Sequence, residues 1–256
     1  MSAFLAGTGA ILGRGAIKTA RIPAIVIQSL FFPTFFLVIY VGLYAGVLAL
    51  GGFGTESVEN WYVPFMMLQG AAFSGVAVGF ATAVDIDNGF FDRLLAAPVN
   101  RFAILLGTAL VGVLRAVLVG TVVLGVGFAF GARFTGGVLG VVWLFVAVVG
   151  ISLCASGWAL GLIYRVKDQR IAPLFPIGIF LALFMSTAQV PLEVATGWLQ
   201  TVARWNPITQ VLELARQAFL DSGISAESTT DGLLALGAMV LVLGWFAWSG
   251  LRRFIP

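Results

Sequence analysis

Charged residues are scarce in this 256-residue chain, so the places that hold them stand out. There are 14 Lys and Arg and 11 Asp and Glu. Five of these 25 crowd into DIDNGFFDRLLAAPVNR, residues 85–101: Asp85, Asp87, Asp92, Arg93 and Arg101. Glu213 and Arg216 stand three apart, a spacing that pairs side chains on one helical turn. Arg115 stands by itself deep in a long apolar run. No histidine occurs, which removes the usual general base and the commonest metal ligand, and no catalytic or metal site is expected. Cys154 is the only cysteine, so no intrachain disulfide can form; inside an apolar run it is expected to pack as a small residue. No G-x-x-x-x-G-K-[ST] run is present, so the chain does not bind nucleotide phosphates in that manner. The net charge of +3 comes without a continuous basic patch, which argues against nucleic acid as a partner. The chemistry left to such a chain is recognition and passage rather than bond-making.

The elements that must position these groups are apolar helices. The chain is 60% hydrophobic and 10% charged, against about a quarter charged in a soluble domain. Too little polar surface remains to cover a soluble protein of this size, so the fold class is an all-α integral membrane protein. Six segments come near the ~20 residues needed to cross the hydrocarbon: Ala24 to Leu50, Tyr62 to Val84, Phe102 to Phe130, Val138 to Ile163, Ile171 to Gln189 and Gly232 to Leu251. They are continuously apolar and do not alternate, which favours helices over a barrel. Glycine-rich stretches such as GTALVGVLRAVLVGTVVLGVG suit helices that approach closely. Ten Lys and Arg lie before span one, between spans two and three, between four and five, and after span six; Arg133, Arg204 and Arg216 lie on the other side. The positive-inside rule puts both termini in the cytoplasm. The apolar run after Arg21 is too long for the core of a cleaved signal.

Three stretches lie outside the spans. In residues 1–23, Arg14, Lys18 and Arg21 share a helical face, with Leu5, Leu12 and Ala16 roughly opposite; this fits a helix lying in the cytoplasmic interface, or a basic terminus that only sets topology. In residues 85–101, Asp85 and Asp87 can cap a helix N-terminus, Phe90, Phe91, Leu94 and Leu95 recur along one face, Asp92 and Arg93 flank them, and Pro98 ends the helix. That is either a docking helix for a cytoplasmic partner or a solvated loop. Residues 190–231 are too broken for a span. Trp198, Val202 and Trp205 repeat along one short helix; Asn206 caps a second, with Pro207 at its first position, and Leu212, Ala215 and Phe219 share its face. The two form either a re-entrant hairpin on the outer side or an interfacial lid with tryptophans at headgroup level. Arg115 is expected to face protein or a wet cavity, in either a structural or a path-lining role.

DNGFFDRLLAAPVNRFAILLG resembles the cytoplasmic loop of ABC-2 type export permeases, through Gly89, Asp92, Leu94, Leu95, Pro98 and Arg101. VPLEVATGWLQTVARWNPITQVLELAR resembles the segment of those permeases before the last span, through Pro191, Trp198, Leu199, Asn206, Pro207 and Arg216. With six spans the resemblance covers nearly the whole of residues 1–256 as one transmembrane domain, and the daunorubicin-resistance type of drug exporter is the nearest subgroup. The resemblance implies that Gly89, Phe90, Phe91, Asp92, Arg93, Leu94, Leu95, Pro98 and Arg101 form a coupling helix for a separate ABC ATPase subunit, present in two copies and carrying the ATP and Mg. It implies a second permease, identical or related, and a multi-pass location in the plasma membrane. It also implies that Trp198, Trp205, Asn206, Pro207 and Arg216 belong to a re-entrant outer gate, and that the cargo is an amphipathic drug or lipid. A lipid-linked glycan is the alternative cargo. An ion-coupled secondary transporter would need intramembrane acids, and an intramembrane enzyme a histidine or paired acids; the spans offer neither clearly.

Overall fold

A computed structural model describes residues 2–44, 53, 55, 57–221 and 223–254. Among these residues the structure is all-helical in class, helices joined by turns and short irregular stretches, without a strand. In chain order the helices are α1 (Ser2–Arg21), α2 (Pro23–Leu43), α3 (Val58–Asp87), α4 (Phe90–Ala96), α5 (Arg101–Ala129), α6 (Gly137–Val166), α7 (Leu174–Phe184), α8 (Gly197–Trp205), α9 (Pro207–Arg216) and α10 (Ala226–Phe254), with a 3-10 turn at Gln169–Ile171. Local chemistry sets several of the boundaries. Pro23 opens α2, where its missing N–H costs nothing. The Ser57 side chain accepts from the Asn60 N–H at the start of α3, and Asn100 accepts from the Phe102 N–H at the start of α5.

Among the described residues five helices are long and apolar enough to cross a membrane: residues 26–43 within α2, then α3, α5, α6 and α10. The 30 residues of α3 run to about 45 Å at 1.5 Å per residue, longer than a hydrocarbon core of about 30 Å. α3 is the centre of the bundle and is buried along almost its full length, with Val63, Phe65, Met66, Met67 and Leu68 fully enclosed. α2 and α10 are peripheral and leave Phe31, Phe35, Leu241, Val242 and Trp245 exposed. Apolar surface on this scale is not sustained in water. The chain is a multi-pass membrane protein.

Helix directions follow from what each glycine meets. Gly75 abuts Ser152 and Ser156, and Gly79 abuts Ala159, so α3 and α6 run parallel. A Cβ at Gly75 would lie 2.4 Å from the Ser152 carbonyl oxygen, so only glycine permits that crossing. Gly112 also meets Ser156 and Gly127 meets Val63, so α5 runs opposite to both. Gly150, Gly157 and Gly161 meet Leu236, Leu243 and Phe246 in that order, so α10 is parallel to α6. Residues 167–225 must therefore return the chain from one end of the bundle to the other. The loop end holds α4, the end of α6 and Phe254; the hairpin end holds residues 130–136, α9 and the starts of α3 and α10.

One expectation changes. The return segment, expected as one span over Ile171 to Gln189, is an 11-residue helix followed by turns. At about 1.5 Å per residue, α7 is too short to cross unaided. Pro173 and Pro176 occupy its cap and first turn, where proline initiates. At its far end the Asn206 amide takes the Ala182 and Met185 carbonyls, at 2.7 and 3.0 Å, that another helical turn would have used. On α1, Gly7, Thr8, Ile11, Gly15 and Thr19 lie along the first four turns of α5, parallel to it, and Leu5 is exposed. Small residues let two helix backbones approach, and they win over bulkier ones at such a crossing. The first apolar segment is helical through Leu43; its expected residues 45–50 lie outside the described residues.

Candidate functional site

At the loop end, Asn88 closes α3 and Gly89 takes φ +66°, a left-handed conformation suited to glycine, to turn the chain into α4. Ala97 is extended, as a residue before proline tends to be, and α4 stops at Ala96 before Pro98. The four apolar residues of this helix all turn toward their own chain. Phe91 is buried, its ring 5.5 Å from Tyr164 and 5.1 Å from Phe254. The Phe90 ring lies 3.8 Å below the Arg14 guanidinium, and Leu94 and Leu95 pack half-buried on the core. Asp87, Asn88, Asp92, Arg93, Ala96, Pro98 and Arg101 stay exposed. The face left uncovered is thus polar, and the greasy one is already occupied.

Asp85 and Asp87 do not cap α4; they sit in the last turn of α3, where a carboxylate opposes the helix dipole. Asp85 is compensated by Arg14, whose two terminal nitrogens reach its oxygens at 2.8 and 3.0 Å, and more loosely by Lys18 at 3.9 Å. The Asp85 hydrogen bond raises the Arg14 pKa, with burial partly opposing it and the carboxylate charge adding to it. Nothing in the sequence signalled a pair 71 residues apart. In the sequence Arg165 and Lys167 are topology signals and nothing more. Here Arg165 bonds the Gly161 and Phe246 carbonyls and Ser249, and the Lys167 amine donates to the Phe254 carbonyl at 2.9 Å, so they fasten α6 to the end of α10.

At the hairpin end the organising group is Arg216, fully buried. It donates to Glu213 at 2.9 Å, to the Thr187 hydroxyl at 3.3 Å, and to the Thr187 and Ala188 carbonyls at 2.7 and 3.3 Å. Its guanidinium lies 3.4 Å over the Trp61 ring. The neighbouring Gln189 carbonyl accepts from the Tyr62 hydroxyl at 2.8 Å. Arg216 therefore holds the unwound segment after α7, whose carbonyls lack helical partners. Asn206 caps α9 through the Ile208 N–H with Pro207 at the first position, as the sequence indicated, and the Glu213–Arg216 pair forms. Trp198 and Trp205 turn outward, 68% and 82% exposed. Sequence reasoning missed Trp61, Tyr62, Thr187 and Asn60, which read as ordinary span and loop residues. Asn60 accepts from the Arg133 N–H and donates to the Phe219 carbonyl, tying α3 to both loops.

Arg115 is 2% exposed. Its Nε donates to the Thr19 hydroxyl at 2.8 Å, and one terminal nitrogen has no protein partner. It lies between α1 and α5, on a cavity shared with Arg14, Asp85 and α4.

The sequence model described as ABC-2 type transporter matches residues 7–220. The chain is 30% identical to the "Daunorubicin resistance ABC transporter permease protein DrrB1" of Streptomyces coeruleorubidus, over 80% of this chain and 72% of the relative. It is 24% identical to the "Probable multidrug ABC transporter permease YbhR" of Escherichia coli K12, over 77% of this chain and 56% of the relative. With the "Probable doxorubicin resistance ABC transporter permease protein DrrC" of Mycobacterium tuberculosis it shares 26% identity, over 67% and 66% of the two chains.

Proposed function

The chain belongs to the ABC-2 type transporter family, and from that membership we propose that it is the membrane-spanning, non-catalytic subunit of an ATP-driven exporter. The single observation that carries this reading is the surface of α4. Its apolar residues are used within the chain, and a polar ridge of Asp87, Asn88, Asp92 and Arg93, bordered by the exposed Pro98, remains at one end of the bundle. A separate ATPase subunit would dock there. ATP and Mg would be held by that subunit, in two copies facing two permease chains, identical or related. Because Phe91 is wedged between Tyr164 and Phe254, motion imposed on α4 would be passed to the ends of α6 and α10 rather than absorbed in a loose loop.

In this reading six crossings place both termini in the cytoplasm of a plasma-membrane protein. The parallel course of α6 and α10 supports a crossing between them, made by α7 and the unwound segment after it. The short lengths of α8 and α9, and the burial of Arg216 among carbonyls, support a re-entrant hairpin over the transport path. The relatives' names point to drugs as cargo, and amphipathic drugs or lipids suit the aromatic, apolar spans.

The test is reconstitution in liposomes with and without the cognate ATPase. Export of an anthracycline probe is compared under ATP, a non-hydrolysable analogue and an ion gradient. ATP-dependent movement only when the ATPase is present is expected. Movement driven by the gradient with no ATPase would remove the exporter reading in favour of a secondary transporter.

A further inference from the structure

We propose that the cavity enclosed by α1, α3, α4 and α5 is a binding site for one phosphate-bearing anionic headgroup. The cavity measures about 240 Å³, several times the ~30 Å³ of one water in the liquid, so it admits a polyatomic ion rather than a single solvent molecule. Arg14, Lys18 and Arg115 line it, against one carboxylate, Asp85. The lining therefore carries an excess of two positive charges.

The three cations are not equally committed. Arg14 forks onto Asp85. Lys18 touches the same carboxylate only at 3.9 Å. Arg115 has no ion pair among the described residues, and one of its terminal nitrogens is buried without a hydrogen-bond partner. A buried guanidinium nitrogen left unpaired is costly, and a buried cation calls for an anion or full hydrogen bonding. The site is also graded. The Arg14 and Lys18 side chains, 46% and 31% exposed, form its mouth, and Arg115 forms its floor. The remaining wall is mainly apolar, with Ile11, Val78 and Val111 beside Thr82 and Thr108, and Leu5 and Ile17 are exposed on α1. An anionic group entering at the mouth would reach Arg14 and Lys18 first and Arg115 last, with apolar surface beside it for an attached chain. The cavity touches the inner, apolar face of α4 through Phe90, Phe91 and Leu94 and leaves its polar ridge free.

The experiment measures equilibrium binding of radiolabelled phosphatidylglycerol to the detergent-purified full chain without any ATPase, so its outcome is independent of the exporter reading. Unlabelled phosphatidylglycerol should compete, and zwitterionic phosphatidylcholine should compete at least tenfold less well. Inorganic phosphate distinguishes the source: competition at millimolar concentration assigns a soluble phosphate, and failure to compete alongside competition by the lipid assigns a headgroup. Lys18→Gln and Arg115→Gln should each weaken binding about tenfold, the value of one charge-assisted hydrogen bond. Asp85→Asn should tighten it severalfold, because the competing carboxylate is gone; a merely structural role for Asp85 predicts no gain. If Arg115→Gln does not fold, Lys18→Gln and Asp85→Asn decide the matter. Binding unchanged in both, or equal competition by phosphatidylcholine and phosphatidylglycerol, overturns the proposal.

Discussion

Arg216 and Arg115 are both buried guanidinium groups, and their surroundings differ in kind. Arg216 meets a carboxylate, a hydroxyl, two carbonyls and an aromatic face; Arg115 meets one hydroxyl. Replacing Arg216 strips partners from a segment that has no helical bonds of its own. Arg216→Leu should cost about 3 kcal/mol, the usual scale for breaking a buried charged network, read as a lower unfolding midpoint in detergent. Arg216→Lys should recover only part of it, since an ammonium lacks the planar fork that reaches Glu213 and the Thr187 carbonyl together. A midpoint unchanged in Arg216→Leu would mean that the carbonyls of residues 187–188 find other donors. That arginine was visible in the sequence as half of an i, i+3 pair, yet its main partners lie 28 and 29 residues away, beyond any local pattern.

α4 is a helix whose two faces have separate tasks, and substitutions should separate them. Phe91→Ala removes a buried ring from between Tyr164 and Phe254 and should lower stability by about 3 kcal/mol. The charge swap Asp92→Arg with Arg93→Asp touches only exposed side chains and should leave stability within about 0.5 kcal/mol, while weakening co-purification of the ATPase. Swapped chains that retain full ATPase association would place docking elsewhere. The crossing of α3 and α6 is equally testable. Gly75→Val would drive its Cβ to 2.4 Å from the Ser152 carbonyl oxygen, and backbone cannot yield as a flexible side chain does. An overpacking loss of about 1–3 kcal/mol or more is expected. Gly9→Val is the control, since nothing lies within 4 Å of its Cβ position.

For the molecule as a whole, the decisive arrangement is α10 running parallel to α6, with every connection between them gathered in residues 167–225. With the Lys and Arg distribution, this predicts opposite exposure of the two ends. In a Cys154→Ala background, cysteines at Thr135 and Ser225 should react with an impermeant thiol reagent added to intact cells, and one at Asn88 should react only after permeabilisation. Labelling of Asn88→Cys in intact cells would reverse the topology. Thr135 and Asn88 are exposed at opposite ends of the bundle, so accessibility within the fold does not confound the comparison.

The sequence by itself determined whatever depends on near neighbours and composition. The apolar runs dictated the five long helices, because backbone in hydrocarbon must bond to itself. Asn206 and Pro207 announced the start of α9 and Pro98 the end of α4, since caps and turns act over a few residues; the start of α4, expected at Asp85 and Asp87, fell instead at Gly89. Tertiary structure alone decided the pairings: Arg14 with Asp85, Thr19 with Arg115, Arg216 with Thr187 and Trp61. It also decided which faces were spent. The apolar side of α4 turned inward, the tryptophans of α8 outward, and α1 lay along α5 on its glycines rather than its leucines. The physical reason is that hydrophobic burial is non-directional. An apolar residue can bury against any neighbour that fits, and which neighbour fits is settled by how closely two backbones can approach, a property of the pair of helices and not of either one.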